Sequence, residues 1–221
     1  MIGSISGLEL VQAMICSGEK AVENFSFISG GEWFDEAPEY FLTTHIARSV
    51  GNQGNTYALL EVPVGQTRKK AGASRRGRAA QHERRNGRFD LVFYSADGSP
   101  RVPVEIKSPV WSATKQKIYP DIDRLSSALI ANNDSTFQFG VFLFYASVSK
   151  PERKHDNASQ RMRKLLERFK DTAIGRAEEK GAKVILIPGS VHKGKEVEDG
   201  AWSIAALVIT RDGEEGNFLV E

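Results

Sequence analysis

A single cysteine, Cys16, stands in 221 residues. It rules out an internal disulfide framework and fits a reducing compartment, so a cytoplasmic location is expected. The four histidines show no metal-ligand spacing with one another or with the cysteine, and none is assigned a role. No loop of Gly-x-x-x-x-Gly-Lys-Ser/Thr form is present, so nothing suggests ATP hydrolysis. No apolar run approaches the length of a bilayer span. The first ten residues lack the basic stretch of a secretory signal. No Pro/Ser-rich linker and no internal repeat divide the chain. One domain, residues 1–221, is expected, large enough to bury a core. Hydrophobic content of 40% and charged content of 26% are ordinary for a globular protein.

Charge is present in quantity but unevenly placed. The formal net charge is +2. Residues 68–88 hold Arg68, Lys69, Lys70, Arg75, Arg76, Arg78, Arg84, Arg85 and Arg88 against one acid, Glu83, a local net of +8. The rest of the chain carries 21 basic and 27 acidic residues, a net of −6. Such a segment suits a local anionic partner, most often nucleic acid. A solvated loop that only aids solubility, or a surface for an acidic partner protein, is the alternative. The segment is expected to be a basic insertion at about 65–88 that leads directly into an apolar strand.

Periodicity supplies the order of elements. Leu8–Ile15 is weakly helical, and Ser26–Gly31 has the composition of a turn. A helix is expected over Ala37–Val50, with Asp35 as N-cap and Pro38 in its first turn. Strands are expected over Thr56–Val64, from Phe89 and from Val102, the last two joined by a turn over Ser95–Pro100. A polar connection over Ser108–Lys117 leads to a helix begun near Pro120, with Ile122, Leu125, Leu129 and Ile130 at helical spacing. Phe137–Val148 suits a buried strand. A long amphipathic helix over Ala158–Lys180 follows. Strands over Lys183–Pro188 and Trp202–Thr210, and an edge at Asn217–Val220, complete the chain. The fold class is α/β, a mixed central sheet flanked by helices.

The most informative stretch is Val104-Glu105-Ile106-Lys107. Side chains alternate along a strand, so Glu105 and Lys107 point to one side. A solvated same-side ion pair is the plain reading, worth at most about 1 kcal/mol. However, the strand is apolar enough to be buried on one face, and Asp90 lies at hairpin distance. Two carboxylates and a lysine at one sheet end suit a divalent cation and a phosphodiester. Asp90, Glu105 and the Ile106 carbonyl are the candidate donors for Mg²⁺ or Mn²⁺. Lys107 can orient a water, help deprotonate it or stabilise developing charge. Use as a base requires a lowered pKa.

Asp90, Glu105 and Lys107, in that order and on paired strands, resemble the PD-(D/E)xK nuclease superfamily. The likeness covers roughly residues 36–148: a helix, three meandering strands, a helix and a strand. It implies a restriction-endonuclease-like core and metal-dependent phosphodiester hydrolysis, most readily of DNA. It also implies a glutamate from the first helix in the metal site, for which Glu39 is the candidate and Glu36 the alternative. The proline that often precedes the first acid is replaced by Phe89. Lys115, Gln116, Lys117 and Tyr119 resemble the stretch that reaches toward site or substrate in several branches. Asp123 and Arg124 are expected to cap and pair within their own helix. Many enzymes of this kind cut as dimers or inside larger complexes, so a homodimer or a partner protein is left open. A nuclease-like fold kept only as a binding or assembly module is the alternative function.

Overall fold

The computed structural model describes residues 5–51, 56–73, 87–149, 157–193, 200–214 and 218. Among them the strands form one seven-stranded mixed sheet. The elements in chain order are α1 (Gly7–Ile28), a 3-10 turn (Phe34–Glu36), α2 (Glu39–Val50), β1 (Thr56–Pro63), α3 (Val64–Lys70), β2 (Arg88–Ser95) and β3 (Pro100–Val110). They continue with α4 (Lys115–Leu129), β4 (Gly140–Val148), α5 (Ala158–Glu178), β5 (Ala182–Pro188), β6 (His192–Lys193) and β7 (Ala201–Arg211). The strand order is β1-β2-β3-β4-β7-β5, with β6 paired to β7. Among the described strands only β3 and β4 run parallel, and α4 makes the crossover between them. The expected α/β class with helices on the sheet is therefore observed.

The apolar run of β4 serves both faces. Val141, Leu143 and Tyr145 join a core with Leu10, Met14, Leu42 and Ile46 of α1 and α2. Phe142, Phe144 and Ala146 join the other core with Leu125 and Leu129 of α4 and Leu166 and Phe169 of α5. A strand buried on both sides needs no polar alternation. Among the described residues no helix is long and apolar enough to cross a membrane.

Several boundaries differ from the sequence reading. α1 runs over 22 residues, where only Leu8–Ile15 showed a helical pattern. It is started by a capping box in which the Ser6 hydroxyl and Glu9 carboxylate each bond the other's backbone N–H. α2 begins at Glu39, preceded by Pro38 without a side-chain cap. Asp35 lies in the 3-10 turn and caps nothing there. α4 begins at Lys115 and carries Pro120 inside it, on an exposed position. The segment after β1 opens as helix α3 rather than as irregular chain. β6 had no counterpart in the sequence reading. Of the expected edge at Asn217–Val220, only Phe218 is described, buried against Phe139.

Two irregularities flank the end of the β2-β3 pair. In β3, Lys107 pairs with Phe144 and Val110 with Ala146, so β3 has one residue more than β4 over this stretch. Such a bulge re-aims side chains and frees backbone groups. In β1, Glu61 has φ 52° and drops out of the ladder, between pairs Leu60–Leu91 and Val62–Phe89.

Candidate active site

The β2-β3 ladder has Leu91 opposite Val104. One antiparallel step further places Asp90 opposite Glu105, on the same face. Asp90 reaches across, and its Oδ2 accepts the Ile106 N–H at 2.6 Å. The bulge leaves the Ser108 N–H for Glu39, whose Oε2 accepts it at 3.0 Å. Lys107 Nζ stands 3.9 Å from the same Glu39 oxygen and 3.8 Å from Asp121 Oδ2. Asp90, Glu105, Lys107 and Glu39, from three elements, are thus brought together. Glu36 is exposed and ends the 3-10 turn.

Two further residues belong to the cluster. Arg124 of α4 donates to Glu105 Oε1 at 2.5 Å and lies 3.5 Å from Asp121 Oδ1. It also donates to the Arg88 carbonyl at 3.4 Å. The sequence reading kept Asp123 and Arg124 within their helix, and the structure corrects this. Arg124 crosses to β3, although it also pairs with Asp121 three residues earlier. Asp123 takes two hydrogen bonds of 2.6 Å from Arg176 of α5. The i,i+3 spacing marks only the pair Asp121 and Arg124 make with each other; their contacts with Lys107 and Glu105 cross to β3, which no local spacing encodes.

Electrostatics follow from burial. Four carboxylates, those of Glu39, Asp90, Glu105 and Asp121, face two cations, Lys107 and Arg124, a formal net of −2. Burial holds Glu39 above the usual carboxylate range, against the pull of Lys107 and the Ser108 N–H. Burial raises Asp90 too, against the Ile106 N–H and Lys107. Glu105 is pushed well up: burial, with Asp90 and Asp121 as like charges, outweighs Arg124.

The donors are all oxygen, the hard type that Mg²⁺ or Mn²⁺ takes, and the excess negative charge favours a cation. As they stand, no group of three or more His, Cys, Asp or Glu among the described residues is arranged to hold a metal ion. Glu105 is turned to Arg124, and one oxygen each of Asp90 and Glu39 is taken by a backbone N–H. The donor set fits in chemistry and charge, while a cation at Glu105 has to compete with Arg124. Ile106, the third candidate donor, is fully buried and gives its N–H to Asp90.

The basic residues are only partly placed here. Arg75, Arg76, Arg78, Arg84 and Arg85 lie outside the described residues. The segment's two ends meet beside the site: the Val64 N–H donates to Gly87 O at 3.0 Å, and Arg88 Nη1 donates to Glu61 O at 2.5 Å. Helix α3 then leads away from it, with Lys70 Nζ over the Tyr94 ring at 5.2 Å, near the far end of β2. Arg68 donates to the Ala73 carbonyl, and Lys69 is exposed. Lys115, Gln116 and Lys117 are exposed in the first turn of α4. Lys115 stands 5.8 Å from the Tyr119 ring centroid and Lys117 stands 5.3 Å from that of Trp111.

No family model, curated protein or solved structure matches the chain.

Proposed function

We propose that the chain is a cytoplasmic, metal-dependent nuclease that hydrolyses phosphodiester bonds, most readily in DNA. The observation that carries this reading is the meeting of Asp90, Glu105, Lys107 and Glu39 at one end of the β2-β3 pair, with backbone bonds tying Asp90 and Glu39 to the Glu-x-Lys strand. The order α2, β1-β2-β3 meander, α4 and parallel β4 supports likeness to the PD-(D/E)xK nucleases. Mg²⁺ or Mn²⁺ bound by Asp90 and Glu105, with the Ile106 carbonyl and Glu39 as further donors, would supply charge stabilisation at the phosphoryl oxygens and a more acidic water. Lys107, half-exposed at the same strand end, orients the attacking water and stabilises charge that develops on the phosphate. Arg124 balances Glu105 until a cation takes that role. Arg68, Lys69, Lys70 and the arginines of residues 75–88 attract the nucleic-acid backbone, with Lys115, Gln116 and Lys117 at the start of α4.

The test is incubation of labelled DNA with the purified chain and Mg²⁺ or Mn²⁺, comparing wild type with Lys107→Ala and Asp90→Ala. Loss of about 100-fold or more in cleavage is expected for each variant. Equal cleavage by the variants would sink the assignment. The second reading, a nuclease-like fold kept for binding or assembly, draws on Arg124 already neutralising Glu105 from within the chain. Wild type that binds DNA and does not cut it would favour that reading.

A further inference from the structure

We propose that Trp111 is a stacking platform for an unpaired nucleobase, so that the strand cut at this site is single-stranded or locally opened. The inference rests on the nuclease reading and names its substrate class. Trp111 follows β3 directly, four residues beyond Lys107, which bounds their separation at about 13 Å along an extended chain. Trp111 is 57% exposed as a residue, yet its side chain is held in place. The indole N–H donates to Asp35 Oδ2 at 2.6 Å. Asp35 is itself fixed by the Tyr145 hydroxyl at 2.8 Å and the Ser147 hydroxyl at 2.7 Å. Tyr145 is fully buried in the core.

An exposed tryptophan that served packing would turn its ring inward. Here the polar edge is tied down and much of the ring is left to solvent. Lys117 Nζ lies over the ring, 5.3 Å from its centroid, so one face carries a cation and a base stacks on the opposite face or takes the place of the ammonium, which then turns to phosphate. Aromatic ring plus adjacent ammonium is the pairing that single-stranded nucleic acid uses, base on ring and phosphate on cation. Within a duplex both faces of a base are covered by its neighbours. An indole reaches one only where the base is already unstacked or is drawn out at a cost.

The experiment measures binding of the full chain to a fluorescent 20-nucleotide single strand and to the matching duplex, in chelator so that no cutting occurs. Wild type, Trp111→Ala and Trp111→Phe are compared. Trp111→Ala is expected to bind the single strand about 5- to 100-fold more weakly, and the duplex within about 2-fold of wild type. Trp111→Phe is expected to recover most of the loss, since it keeps a ring without the N–H. A circular dichroism melt guards against misfolding, because Asp35 keeps two of its three partners in both variants. Equal single-strand binding by Trp111→Ala, equal loss on both substrates, or no single-strand binding by wild type each overturns the proposal. Failure of the nuclease reading appears separately, as wild type that does not cut either substrate once Mg²⁺ is added.

Discussion

Glu105 concentrates the site's conflict in one side chain. It is 2% exposed, it shares its surroundings with Asp90 and Asp121, and its close cation is Arg124. A buried pair is costly to break from one side, because the remaining charge keeps its desolvation penalty without its partner. Arg124→Ala is therefore expected to destabilise the chain by about 2–4 kcal/mol in chelator. Millimolar Mg²⁺ is expected to restore part of that loss, since a cation at Glu105 replaces the lost charge. A melt that is unchanged in chelator, or that ignores Mg²⁺ while wild type responds, contradicts this account. Within one site, some residues are legible in the sequence and others are not. Asp90, Glu105 and Lys107 were legible because strand alternation and a short turn fix their relative places. Glu39 followed from its position on a helix. Asp35, Asp121 and Arg124 were not legible in these roles, since each acts on an element distant in the chain and no local period encodes that contact.

At the scale of elements, α4 and the β3 bulge position the site together. α4 supplies Asp121 and Arg124, and it is tied to α5 by the paired bonds between Asp123 and Arg176. Arg176 also lies over the Tyr119 ring at 4.9 Å. A planar fork makes both contacts at once, which a lysine cannot reproduce. Arg176→Lys is expected to lower stability by about 1 kcal/mol, read as a shift in the denaturant midpoint without change in slope. An unaltered midpoint would mean that the two helices hold their places by apolar packing alone. Helix α1 shows why an element can escape a pattern search. Ser17, Gly18 and Ala21 are buried with its larger residues, and a Cβ on Gly18 would stand 3.0 Å from the Ile204 side chain. Close approach selects small residues there, and a run of them resembles a break. By contrast, α5 keeps close to its amphipathic period, and β4 is marked by its continuous apolar run, although the strand begins at Gly140 rather than at Phe137. The helix expected to begin near Pro120 begins five residues earlier, and Pro120 lies on an exposed face of a helix already under way.

Across the whole molecule, charge is separated: +8 over residues 68–88 and −6 over the remainder. Binding that rests on the basic segment is expected to weaken linearly on a log–log plot against salt, with a slope of about −0.9 for each duplex phosphate neutralised. Replacing Arg84 and Arg85 with glutamine should make that slope shallower; an unaltered slope would remove them from the interface. The acidic cluster gives the opposite kind of dependence, one on protons. Glu39, Asp90 and Glu105 all have their folded values raised, chiefly by burial. The folded chain then holds these protons more tightly than the unfolded chain does. Their stabilising contribution is complete below the ordinary values of 3.8 for aspartate and 4.5 for glutamate. It is lost as pH rises through the raised folded values. Each tenfold difference in proton affinity corresponds to about 1.4 kcal/mol. Glu105→Gln removes the contribution of the most deeply buried of the three and leaves an uncharged group that still accepts from Arg124. Its melting temperature relative to wild type, measured in chelator, is expected to climb steadily as pH is raised from 4 to 8. Mg²⁺ should flatten the climb, because a cation in the cluster favours the ionised carboxylates and lowers their proton affinity. Wild type and variant that run parallel over this range in chelator would show that Arg124 alone settles the charge of Glu105, leaving no excess for a metal to relieve.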